Sequence, residues 1–86
     1  MTSRVYAADI AHHLTDAGHT NTMRQPAWTP GYRAQQASLH TTRIWHDGPD
    51  EQQHLNQYAQ VLRTAGYTVT AEHTDGKRPT IRATRP

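Results

Sequence analysis

The chain contains no cysteine and no phenylalanine. The first absence excludes disulfides, thiolate catalysis and zinc sites built on cysteine. The second thins the core. Leu, Ile and Val number four, three and three among 86 residues. With no Phe they make up about 12% of the chain, under the ~20% below which disorder competes with folding. The companion sign of disorder, a high net charge, is missing as well, because the formal charge is only +2. Apolar residues also recur with regular periods. These features imply one folded domain, residues 1–86, with a thin core of Ala, Tyr, Leu, Val and Trp. A domain of this size buries little surface alone, and a homodimer or a permanent protein partner would relieve that.

Other scarcities narrow the chemistry. No run approaches the ~18 apolar residues of a membrane helix, and no charged-then-apolar leader opens the chain, so no membrane association and a cytoplasmic location are expected. The five glycines are scattered, so there is no Gly-rich phosphate loop. The only serines are Ser3 and Ser38, and neither sits in a nucleophile elbow. The seven acidic residues fall mostly at helix starts and turns. The expectation is a protein that is not an enzyme and carries no cofactor. Lysine occurs once, at Lys77, against eight arginines. Arg is the better residue for planar recognition of carboxylate and phosphate. An excess of two charges is weak grounds for a polyanionic partner, even with a sequence pI near 9.4.

What the chain does contain is a phrase written twice. Residues 14–20 read LTDAGHT and residues 62–68 read LRTAGYT. Each copy closes an amphipathic stretch. Ala7, Ile10, Ala11, Leu14 and Ala17 share one face of a helix predicted over Val5 to Ala17, with Thr2 or Ser3 as its cap. Leu55, Tyr58, Ala59, Leu62 and Ala65 do the same for a helix over Pro49 to Ala65. There Asp47 or Gly48 can cap, Pro49 suits the first position, and Asp50 and Glu51 face the positive end of the dipole. Gly18 and Gly66 then take positive φ in left-handed C-caps. The repeat is read as shared cap chemistry, with duplication of an α-β-β unit as the alternative.

Tyr67–His73 and Thr80–Thr84 alternate with period two around Asp75-Gly76. The register that sorts apolar from polar pairs Ala71 with Ile81, Val69 with Ala83 and Thr70 with Arg82, and requires a bulge or an odd-length loop at residues 75–77. Tyr32–Ala37 and His40–His46 read as two more strands turning near Ser38, and Thr20–Gln25 as an optional short one. The fold class is therefore α+β, with two helices on one face of a small antiparallel sheet in the order α-β-β-(β)-α-β-β.

The run Trp45-His46-Asp47-Gly48-Pro49-Asp50-Glu51-Gln52-Gln53-His54-Leu55, together with Ala65-Gly66-Tyr67-Thr68-Val69-Thr70, resembles small uncharacterised proteins of high-GC Gram-positive bacteria, some of them borne on mobile elements. The resemblance covers the C-terminal half and implies no particular activity. The order α-β-β-β-α also resembles a double-stranded-RNA-binding domain. That family's basic cluster at the start of its last helix is replaced here by Asp50 and Glu51, so its function is not carried over.

Three constellations remain. If Ile44, Val69, Ala71, Ile81 and Ala83 face the helices, then Arg43, Trp45, Thr68, Thr70, Glu72, Thr80, Arg82 and Thr84 face away, joined by Arg33. This Arg and Trp face is either a solvated surface or a binding surface for protein or nucleic acid. The loop Gln25–Arg33 carries Trp28, Tyr32, Pro26 and Pro30. Trp28 is expected to plug the end of the core, and a partner-docking tip is the alternative. Third, Asp9 and His13, His12 and Asp16, and Asp50 and His54 are each four apart, as metal ligands or ordinary helix pairs would be. A metal site needs about three protein ligands, so none is expected. The reading that results is a small non-catalytic accessory protein that binds another protein or forms a homodimer. The alternative is a nucleic-acid-binding module. The candidate binding residues are Arg33, Arg43, Trp45, Arg82, Trp28 and Tyr32.

Overall fold

The computed structural model describes residues 4–73 and 76–85. The phrase written twice ends two helices, α1 (Ala7–Asp16) and α2 (Glu51–Thr64). The two endings match bond for bond. The amide of His19 donates to the Leu14 carbonyl and the amide of Tyr67 to the Leu62 carbonyl, both at 3.0 Å. The glycine amides donate to Thr15 and to Arg63, again both at 3.0 Å. This is the Schellman arrangement, which needs a left-handed residue just past the helix. Gly18 and Gly66 supply it with φ of 94° and 99°.

Four strands follow the alternation: β1 (Gly31–Ser38), β2 (Thr41–Asp47), β3 (Thr68–Glu72) and β4 (Thr80–Thr84). They form one antiparallel sheet in the order β1-β2-β4-β3. Between β3 and β4, Ala71 meets Ile81, Val69 meets Ala83 and Thr70 meets Arg82, as the polarity pattern requires. The predicted irregularity at 75–77 falls partly on residues outside those described. Along the free side of β3 the Arg63 guanidinium donates to the Val69 carbonyl at 2.9 Å. A side chain that occupies a backbone acceptor blunts an edge against pairing with another chain.

The core lies between sheet and helices. Ile10 and Leu14 of α1 and Leu55, Tyr58, Ala59 and Leu62 of α2 meet Tyr32, Ile44, Val69, Ile81 and Ala83 of the sheet, with Val5 and Tyr67 closing the ends. Ile10, Ile44 and Ile81 take the core positions their periodicity assigns, and neither Trp is in the core. Ala71 pairs as expected yet is exposed, because the helix layer covers Val69 of this outer strand and stops short of Ala71.

The helix starts differ from expectation. Helix α1 begins at Ala7, after Tyr6 in extended conformation with φ −101°. The Ala7 amide is capped from a distance by Gln36 Oε1 at 2.9 Å. Thr2 and Ser3, the expected caps, lie outside the described residues. Helix α2 begins at Glu51 rather than Pro49. Asp50 precedes it in a left-handed conformation, φ 59°, and its side chain makes no capping bond. Asp47 does not cap because arginines hold its carboxylate. The optional strand at Thr20–Gln25 is replaced by a single 3-10 turn, Thr22–Arg24, and one isolated parallel bridge from Asn21 to Tyr32. Asn21 caps that turn by accepting from the Met23 amide, which bends the segment away from a strand.

Candidate functional site

The helices cover one side of the sheet, and the other side carries the Arg and Trp set. Ile44 is fully buried beneath α2, so alternation turns Trp45 outward. Register builds two rows across this face. Gln35, Arg43, Arg82 and Thr70 are successive cross-strand neighbours. In the adjoining row Arg33 lies opposite Trp45 on one side of the sheet, and Thr80 opposite Glu72 on the other. The Arg33 guanidinium sits 5.7 Å from the Trp45 ring centroid, within range of a cation–π contact. Trp45 is therefore partly covered. Shallow depressions flank it on both sides, one lined by Arg43, Glu72, Lys77, Arg78 and Thr80, the other by Gln35, Gln36, Ala37 and Arg43.

The charges on this face are matched. Glu72 holds Arg43 at 3.2 Å and Arg82 at 3.7 Å. Asp47, at the end of β2, holds Arg33 at 3.6 Å and Arg78 at 2.9 Å. Arg78 reaches Glu51 at 2.8 Å and donates to the His46 carbonyl at 2.5 Å. Its hydrogen bonds to Glu51 and Asp47 raise its pKa further above the ordinary arginine value. Exposed pairs of this kind add little stability, ~0–1 kcal/mol each. Their effect is to order the guanidinium groups and to lower the net positive field.

The structure brings together four of the six candidate residues, Arg33, Arg43, Trp45 and Arg82. The other two lie away from this face, and for Trp28 it is the core-plug expectation that is corrected. Tyr32 is no surface contact. It is fully buried, and its hydroxyl bonds Thr15 Oγ1 at 2.7 Å and the Ala11 carbonyl at 2.9 Å, tying β1 to α1. Trp28 does not plug the core, as the residue is 69% exposed. Tyr32 and the ends of the helices already fill that end of the core. Among the described residues no three His, Asp or Glu side chains converge as metal ligands. His12 and Asp16 form an exposed pair at 3.1 Å.

A second constellation lies on the covered side of the sheet. His46 is 1% exposed, and its Nδ1 is 2.6 Å from the Tyr58 hydroxyl. Its ring stacks on His54 at 3.9 Å with 6° between planes. His19 meets Tyr58 edge-on at 4.8 Å. Burial, then the neighbouring His54, pushes the His46 pKa below its ordinary value, and His19 is lowered by the same two causes. Burial is also the main cause that pushes Tyr58 up to about 12. Two signals for this cluster were present in the sequence. Alternation from Ile44 sends His46 inward, and His54 and Tyr58 are four apart on one helix face. Arg78 carried no signal, since it lies in a connection without periodicity.

Compared with protein-family models, curated proteins and solved structures, the chain gives no match.

Proposed function

We propose that this is a small non-catalytic binding protein whose open sheet face docks a protein surface, and that the first such surface is a second copy of the chain. The observation that carries the reading is the state of the outward groups. Every arginine of the face already has a carboxylate beside it, and the aromatic group at its centre is Trp45. Tryptophan and arginine are the residues that most often anchor protein interfaces. A face bearing both Arg43, Arg82 and Arg33 and their carboxylates Glu72 and Asp47 is suited to meet its own image, because each copy offers both signs. The small aliphatic content supports the same reading, since apolar area shared between two copies stabilises a thin domain.

Sedimentation velocity over a wide concentration range tests it. A dimer that dissociates on dilution is expected, and a monomer at every concentration overturns it. A second reading has its own observation, three arginines arrayed around one tryptophan on a sheet, which suits a phosphate backbone with a stacked base. It predicts a gel shift of single- or double-stranded nucleic acid that weakens steeply with salt. No shift at low salt removes it.

A further inference from the structure

Three histidines from three parts of the chain converge on one buried tyrosine, and the open face has no use for them. His46 comes from β2, His54 from α2, and His19 from the connection after α1. The neutral Tyr58 hydroxyl either donates to His46 Nδ1 or accepts from it. The other ring nitrogen, Nε2, is buried and has no hydrogen-bond partner among the described residues. A second proton on this ring would add a buried N–H, with the Pro49 backbone as its hydrogen-bonding neighbour. It would also place a charge in the core against a stacked imidazole.

We propose that the stacked pair His46 and His54 is an acid-sensitive latch that fastens α2 to β2 while the buried His46 ring is neutral and loosens it when that ring takes up a proton. The groups that face the pair do not offset a charge on it. Tyr32 of β1 bonds Thr15 and the Ala11 carbonyl and accepts nothing from the rings. His19 has its pKa lowered in part by His54, so protons on the two rings oppose one another. Asp47, Glu51 and the Pro49 backbone favour a charged His46, but burial and His54 outweigh them. The two carboxylates are in turn engaged by Arg78. Gly48 keeps the cluster tight, because a side chain there would meet Pro30 Cβ at 2.8 Å and His46 Nε2 at 3.2 Å. The consequence reaches the outer face, since β2 presents His46 inward and Trp45 outward at successive positions.

Hydrogen exchange of the intact chain, followed by residue from pH 7.5 to 5.0 after correction for intrinsic rates, is the test. The expected result is that protection falls first in α2 and the adjoining part of β2 while the β4 amides hold. His54→Gln, which removes the imidazole stacked on His46 at a partly buried position, should abolish that early loss. Uniform loss across the domain, no loss at all, or the same pH dependence in the variant overturns the proposal. Should the variant fail to fold, the ring-proton titration of His46 in the unaltered chain decides. Titration below the ordinary histidine value supports the latch, and titration at or above it overturns it.

Discussion

Tyr58 and Trp28 are both large aromatic residues, and the structure gives them opposite weights. Tyr58 is buried and bonded to His46. Tyr58→Phe would keep the ring and leave a buried imidazole nitrogen unpaired, at a cost of about 1–3 kcal/mol, read as a lower urea midpoint. Trp28→Ala should change stability by less than about 0.5 kcal/mol, because a surface ring away from packing has little to lose. A midpoint shift for Trp28→Ala as large as that for Tyr58→Phe would contradict the placement of both. The same buried cluster sets the direction of pH dependence. A histidine whose pKa is lowered by folding binds its proton more readily in the unfolded chain. The stability this neutrality contributes is therefore fully present above the ordinary histidine value of 6.5. It is lost progressively as pH falls from there through the lowered value of the folded state. Urea midpoints measured from pH 7.5 to 5.0 should decline in that direction.

At the scale of elements, the paired helix endings make a matched experiment. Gly18→Ala and Gly66→Ala each force a side chain into left-handed backbone, which costs roughly 1–2 kcal/mol. Among the described residues, chain neighbours apart, no atom stands within 4 Å of the added methyl at Gly18, and only Arg85 Nη2 at 3.8 Å does at Gly66. The two penalties should be nearly equal by thermal or urea unfolding, and a large inequality would mean the endings are alike in letters alone. These caps were legible because Gly after a Leu-ended apolar stripe has one common use. The β3–β4 register was legible because, of a two-residue loop at Asp75-Gly76 and one a residue longer, only the longer separates Val69 and Ile81 from Thr70 and Arg82. The helix starts were not. Gln36 caps α1 from 29 residues away, and Asp47 is drawn off by arginines of β1 and the β3–β4 connection. Local patterns carry no information about partners so distant. Trp45 was readable for the same reason as the register, by counting from Ile44. Trp28 was misplaced because its surroundings are loop, where no period fixes a direction.

For the whole molecule, the order β1-β2-β4-β3 reads the same from either edge. Each half is a helix followed by a hairpin, and β2 meets β4 antiparallel at the middle, with Arg43 opposite Arg82. The halves are not copies in length. β1 and β2 have eight and seven residues against five and five, and β3 follows Tyr67 at once whereas residues 20–30 separate His19 from β1. The arrangement leaves one sheet face without a helix layer, and Trp45 at its centre is the feature on which the proposed association rests. The most direct test is sedimentation velocity of Trp45→Ala beside the unaltered chain, with circular dichroism of both. The account predicts an unchanged far-ultraviolet spectrum and a dimer weakened by ~30-fold or more, the equivalent of the ~2 kcal/mol lost with an interface anchor. A variant that associates as tightly as the unaltered chain, or one that unfolds instead, would contradict it.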